Sequence, residues 1–275
     1  MNRNAHWFFV GMFFSFIFAV PLKAQSRQSF MLEKNWKFSR DKSATFMNET
    51  FNDSQWQNVT VPHDWAIYGP FSPNNDSQHV AIAQDGQTEA TEHAGRTGGL
   101  PFVGEGFYRT QFEVPGFKKG KRVQLVFDGA MANAQVFVNG KKAGEWAYGY
   151  NTFHFDVTDL LHEGKNTLAV QLMNRPEQSR WYPGAGLYRN VHVVVTDEVH
   201  IPIWGTYVTT PVVRNEFAKV NVKTKISNAK GNDRYVLETI IRDSRGQKVS
   251  SQKSELSTFD EKEFEQSLVI TNPKC

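Results

Sequence analysis

Apolar residues recur at every second position in segment after segment of this chain, and almost nowhere at the three-to-four spacing of a helix. Tyr108, Thr110, Phe112 and Val114 share one face of such a segment, and Val123, Leu125 and Phe127 share the next. Residues 134–138 run into Asn139-Gly140, the dipeptide best suited to the paired positive φ angles of a type I′ hairpin turn. Phe153, Phe155 and Val157 alternate again. Gly164-Lys165-Asn166 then turns the chain toward Leu168, Val170 and Leu172, and residues 187–195 read as one long β-branched strand. A strand with one apolar face has to bury it against a second sheet, so this pattern predicts a β-sandwich. A turn around residues 158–162 is the only helical element expected.

The strand pattern divides near residue 200. Pro202 and Pro211 bracket a junction, after which the alternation becomes more polar, through Val220, Val222, Thr224 and Ile226 to Leu268 and Ile270. We expect a first sandwich over residues 25–200 and an immunoglobulin-like sandwich over 201–275. The second is short of the roughly 100 residues such a sandwich takes, so it is read as partial, with a strand or two missing. Residues 69–106 break the pattern with many Gly, Asn, Asp and Gln. A segment this long without strands is expected to be a functional loop, and Gly98-Gly99-Leu100-Pro101 points to an ordered one.

The N-terminus bears on location. Residues 7–20 form an uncharged apolar run of 14 residues behind Arg3, closed by Pro21. A bilayer span takes about 20, so residues 1–24 read as a signal peptide cut after Ala24. The expectation is export, to the periplasm or the extracellular medium, with no membrane anchor afterwards. Arg3 and Lys23 leave with that segment, which takes the net charge from +3 to +1. Such a balance offers no footprint for nucleic acid or anionic lipid. Cys275 is the sole cysteine, so no internal disulfide is expected. The 8 His are scattered without metal-ligand spacing, and no phosphate loop or serine elbow is present, so neither a metal nor a cofactor is expected.

Several strings carry more information than their pattern. They are Val61-Pro62-His63-Asp64-Trp65; GRTGGLP at 95–101; GFYRTQFEVP from Gly106; GAMANAQVFVNG at 129–140; GYNTFHFDVTDLL; and NRPEQSRWYPGAGLYRNV at 174–191. In this order they resemble the sugar-binding domain of glycoside hydrolase family 2, most closely its exported bacterial β-galactosidases. Residues 203–273 resemble the immunoglobulin-like domain that follows it. The resemblance implies an all-β chain: a galactose-binding-like jelly-roll sandwich, then a partial immunoglobulin-like sandwich.

The bend Trp181-Tyr182-Pro183-Gly184-Ala185-Gly186 has a physical reading of its own. Pro and two Gly force a tight turn from which two aromatic rings and Arg180 project. A sugar, with apolar C–H faces and polar edges, needs such a platform beside hydrogen-bonding groups. The bland alternative is that both rings plug the end of the sandwich. The resemblance favours the site, and implies that this bend and the GRTGGLP loop reach the mouth of a catalytic barrel to contact the terminal sugar. The expected substrate-binding residues are Asn174, Arg180, Trp181, Tyr182, Arg96 and His93, with Gln87 further out.

His63 and Asp64 invite a catalytic reading, but neighbours on an extended chain point to opposite sides. They are expected to tie down a loop while Trp65 packs, and Asp128, Asp156 and Asp159 to cap strand ends. Retaining glycoside hydrolysis takes two carboxyl groups about 5 Å apart, which the family carries on a (β/α)₈ barrel of some 250 residues. No such barrel lies within the sequence, and Glu89, Glu92, Glu105, Glu113 and Glu145 have no support as catalysts. No catalytic residue is therefore assigned. The expected role is sugar binding and substrate positioning, with a terminal β-galactoside as partner. A stand-alone carbohydrate-binding module, or an assembly element completing an oligomer or a catalytic chain, are the rival readings.

Overall fold

The computed structural model describes residues 27–72, 75, 102, 104–175, 184–229, 234–257 and 259–273. Ten strands build the first sandwich: β1 (Arg27–Met31), β2 (Trp36–Ser39), β3 (Gln57–Val59), β4 (Gly104–Glu113), β5 (Lys121–Phe127), β6 (Ala134–Val138), β7 (Lys141–Trp146), β8 (Phe153–Asp156), β9 (Lys165–Asn174) and β10 (Val191–Asp197). One sheet runs β1-β10-β5-β8 and the other β3-β2-β4-β9-β6-β7. Chain neighbours are often not sheet neighbours, as in a jelly roll, where long connections carry the chain between layers.

The alternation sets the core. Trp36, Phe38, Tyr108, Phe112, Val136, Leu168, Val170 and Leu172 of the larger sheet meet Val123, Leu125, Phe127, Phe153 and Val193 of the smaller one, all buried. Asn139 and Gly140 take φ angles of 50° and 76° and join β6 to β7, as the dipeptide predicts. The long run after residue 186 is shorter than its sequence suggests. Leu187 is buried, but the strand begins only at Val191, because Gly186 and Leu187 are held by cross-links to other loops.

The outer face of the larger sheet is also buried at one place. Phe107 packs with Phe46 and Ala169, and Arg109 is 2% exposed. Residues 40–56 cross this face, and Arg109 pins them there. Its Nε donates to Asp53 at 2.8 Å, its Nη1 to the carbonyls of Phe46 and Asn48, and its guanidinium lies over the Phe51 ring at 5.2 Å. Arg109→Met should cost about 3 kcal/mol, since two carbonyls lose their donor and a mostly buried ion pair is broken. The estimate takes the lower end of the range because Asp53 is 30% exposed. Thermal denaturation with limited proteolysis at residues 40–56 checks it, and an unchanged melting point would refute it.

Five further strands follow: β11 (Thr206–Val213), β12 (Phe217–Ala229), β13 (Tyr235–Arg242), β14 (Lys248–Leu256) and β15 (Phe259–Thr271), arranged as a β11-β12-β15 sheet and a β13-β14 pair. Val220, Val222, Thr224 and Ile226 alternate inward along β12 as expected. Among the described residues there are only two short 3₁₀ turns, Thr158–Leu160, which falls where the sequence places it, and Trp65–Tyr68, which was not foreseen.

Candidate functional site

One end of the first sandwich gathers the connections of interest. β9 ends at Asn174, β4 begins at Gly104, β6 begins at Ala134 and β10 begins at Val191. These connections meet in a knot built on His63-Asp64-Trp65. Asp64 caps the 3₁₀ turn, its Oδ1 accepting from the Ala66 N–H at 2.9 Å and from the Ala185 N–H at 3.0 Å. The Trp65 N–H donates to the Ala185 carbonyl and the His63 N–H to the Leu187 carbonyl, each at 2.8 Å. Gly186 exchanges two 3.0 Å hydrogen bonds with Met131. At φ 129° it sits so close that a Cβ there would lie 2.4 Å from the His63 carbonyl oxygen.

The knot also ties down described residues that flank segments 76–101 and 176–183. Asn174, 5% exposed, donates through Nδ2 to the Gly184 carbonyl at 3.1 Å, which ties the end of β9 to Gly184. Trp65 Nε1 donates to the Phe102 carbonyl at 3.2 Å. Arg40 holds the two ends of the 70–101 segment together, donating to the Gly69 carbonyl at 3.1 Å while its guanidinium lies 5.1 Å over the Phe102 ring. Arg40 carried no signal in the sequence, because its partners lie 29 and more positions away.

His63 adds a pH dependence. Its Nδ1 is 2.7 Å from the Tyr108 hydroxyl, and its ring packs on Phe38. Burial holds its pKa below the ordinary 6.5, with Asp64 opposing. The folded state therefore disfavours the protonated ring. Stability is complete above pH 6.5 and declines as pH falls through 6.5 toward the lower folded value, by at most about 1.4 kcal/mol per pH unit for one proton. His154, likewise lowered by burial with Asp156 opposing, contributes in the same sense. His63→Gln should make the melting-point loss between pH 6.5 and 5.5 shallower than in the wild type. A loss as steep as that of the wild type would refute this.

Aromatic groups line the same end. Tyr148 is 59% exposed and lies 5.5 Å from Tyr150. The Tyr188 hydroxyl donates to the Gly149 carbonyl at 2.9 Å, and burial raises its pKa. A cleft of about 700 Å³ runs alongside, lined by Tyr68, Tyr188, His63, Asp64, Asn35 and Asn58. This is the mixture of ring faces and fixed polar groups that a sugar requires. Sequence reading missed Tyr68, Tyr148, Tyr150 and Tyr188. Scattered tyrosines have no periodicity, and only the fold brings them to one edge.

Of the residues expected to bind substrate, Asn174 lies at the strand end foreseen for it, with its amide nitrogen committed to the loop base. Arg180, Trp181, Tyr182, Arg96, His93 and Gln87 lie outside the described residues. His63, Asp64 and Trp65 have the loop-tying and packing roles expected of them. Asp128 pairs with His192 at 2.8 Å, and Asp156 accepts from the Thr158 N–H at 3.0 Å. Glu105 is held by Lys42 and Gln171, and Glu145 by Lys142.

A two-layer β-sandwich that presents aromatic and polar groups at its loop edge has the surface chemistry that carbohydrate-binding domains use. Residues 101–184 match the model of the glycosyl hydrolase 2 galactose-binding domain-like family. The chain therefore carries a galactose-binding-like N-terminal domain of the glycoside hydrolase family 2 type. It is 34% identical over 245 residues to a β-galactosidase of Bacteroides ovatus, covering 87% of this chain and 27% of that one. A β-glucuronidase of Bacteroides fragilis is 30% identical over 253 residues, 88% of this chain and 31% of that protein. The crystal structure of a family 2 member from Bacteroides cellulosilyticus superimposes with a TM-score of 0.77 at 30% identity, over 90% of this chain and 31% of that one. The chain thus spans less than a third of the length of these relatives.

Proposed function

We propose that this chain supplies sugar binding and substrate positioning for the hydrolysis of an O-glycosidic bond by an exported enzyme, with the terminal β-galactoside as the sugar held. One observation carries the reading: Phe102, Asn174, Gly184 and Ala185, which flank the two sequence segments that contain Arg96, Arg180, Trp181 and Tyr182, are tied to a single knot beside an aromatic edge. Rigid roots matter because a binding loop that must first be ordered loses affinity to that ordering. A β-galactosidase and a β-glucuronidase both stand among the relatives, which supports a sugar as the group held. In the signal-like segment 1–24, the reading of export rests on sequence alone.

Trp181→Ala in the whole protein tests it. The expected result is a KM for an aryl β-galactoside raised roughly tenfold, about 1.4 kcal/mol of lost contact, with the melting point kept. If the domain instead unfolds, Trp181 is a plug of the sandwich end and the reading fails.

A further inference from the structure

A second polar cavity lies away from the loop edge, at the junction of the two sandwiches. Its floor is the outer face of β5 and β8. Arg122 and Gln124 stand two residues apart on one face of β5, and Asp156 of β8 is the register partner of Gln124. Its other wall is His200, Pro202, Ser227, Asn228 and Glu261, and together these enclose about 400 Å³. The wall is fixed to the linker, since His200 and Ser227 exchange backbone hydrogen bonds at 2.9 and 3.3 Å.

The charges of this cavity are already matched. Arg122 Nη2 meets Asp156 Oδ2 at 2.7 Å, and Glu261 takes Lys225 at 2.8 Å and the Ser227 hydroxyl at 3.2 Å. His200 Nδ1 and Asn228 Nδ2 both lie on the Glu198 carbonyl. Two atoms are left over. Arg122 Nε, a donor, and Gln124 Oε1, an acceptor, are buried with no hydrogen-bond partner among the described residues. Native folds seldom leave such atoms unsatisfied, because each forfeits its hydration.

The leftover pair narrows the ligand. A carboxylate or phosphate would satisfy Arg122 but face the Gln124 oxygen, Asp156 and Glu261. A cation would find both carboxylates committed and a guanidinium beside them. A hydroxyl both accepts and donates, so a polyhydroxy molecule is the neutral ligand that matches one leftover donor and one leftover acceptor. The cavity falls within the usual 300–1,000 Å³ range for small-molecule sites, and Pro202 offers an apolar wall to a C–H face. Trp204, two residues along the same linker and 67% exposed, stands edge-on to His154 at 5.0 Å, on the face of β8 that carries Asp156. We propose that the junction is a second binding site, for a neutral hydroxyl-rich molecule of monosaccharide size, independent of the loop edge.

The test is a titration of the full chain with galactose, glucose and glucuronate, read by NMR at the Gln124 side-chain amide and the Trp204 indole. Saturable shifts of both signals with the neutral hexoses are expected, with binding of glucuronate at least about tenfold weaker. Arg122→Lys keeps the charge facing Asp156 but removes the Nε donor. It should weaken hexose binding about tenfold at Trp204, as should Gln124→Met, while Trp181→Ala leaves it unchanged. No movement of either signal with any sugar would overturn the proposal, including the case of a single water satisfying both atoms. So would shifts indifferent to both β5 variants. Shifts near Tyr188 that vanish in Trp181→Ala report on the loop edge alone, so the two sites can fail separately.

Discussion

Gly186→Ala should lower the melting temperature by roughly 6–12 °C and loosen residues 184–187. A methyl group at this position would stand 2.4 Å from the His63 carbonyl oxygen and 2.6 Å from the Tyr108 hydroxyl, at a φ of 129° that L residues rarely adopt. Neither atom can withdraw cheaply. The His63 carbonyl is backbone, and Tyr108 is fully buried and bonded to His63. Strain of this kind costs about 3 kcal/mol, which converts to the stated shift in a domain of this size. Relief by moving the 184–187 segment would break the Asp64–Ala185 and Gly186–Met131 bonds. Differential scanning calorimetry and exchange rates of the Ala185 and Leu187 amides check both halves. A melting point within a degree or two of the wild type would show that the knot is looser than its geometry.

Trp65→Ala has the larger expected effect, about 3–5 kcal/mol. Trp65 is 2% exposed, stacks on Phe38 at 5.4 Å and lies 6.3 Å from Tyr108, so its removal opens a cavity where the two sheets meet the loops. Gly106 is part of the same fit, since a Cβ there would come within 2.2 Å of the indole. Trp65→Phe is the milder variant. It keeps an aromatic ring against Phe38 but gives up the outer indole atoms that face Gly106 together with the donor to the Phe102 carbonyl, so it should cost about 2–3 kcal/mol while making residues 70–101 markedly easier to cleave. Equal protease resistance of Trp65→Phe and wild type would mean that this hydrogen bond does not hold the loop.

Much of this architecture was legible in the sequence, and the failures have physical causes. The period of two in Tyr108, Thr110 and Phe112 identified the inward face of β4, because one buried face dictates register. It could not show that Phe107 and Arg109 are buried on the opposite face. Their cover, residues 40–56, has no period, and the contacts span 61–63 positions. The β-branched run from Leu187 overstated β10 because hydrophobicity reports burial and not pairing. Leu187 is buried by the knot, and the ladder with β5 starts only at Val191. Asn174 was placed at its strand end by pattern and resemblance together. Arg40, which clamps the 70–101 segment, was invisible since one arginine in a polar stretch has no pattern to break. His63 and Asp64 were read as loop ties by the argument that neighbours point apart, and the fold uses both in that way.

The central claim is that sugar is held at the loop edge rooted on the His63–Trp65 knot. Its most direct test is a galactose titration of the full chain followed by backbone amide NMR. The account predicts saturable shifts at Asn174, Arg175 and residues 184–188, lost in Trp181→Ala while the spectrum stays that of a folded protein. Shifts absent from these positions at saturating galactose, or retained at full size in Trp181→Ala, would contradict it.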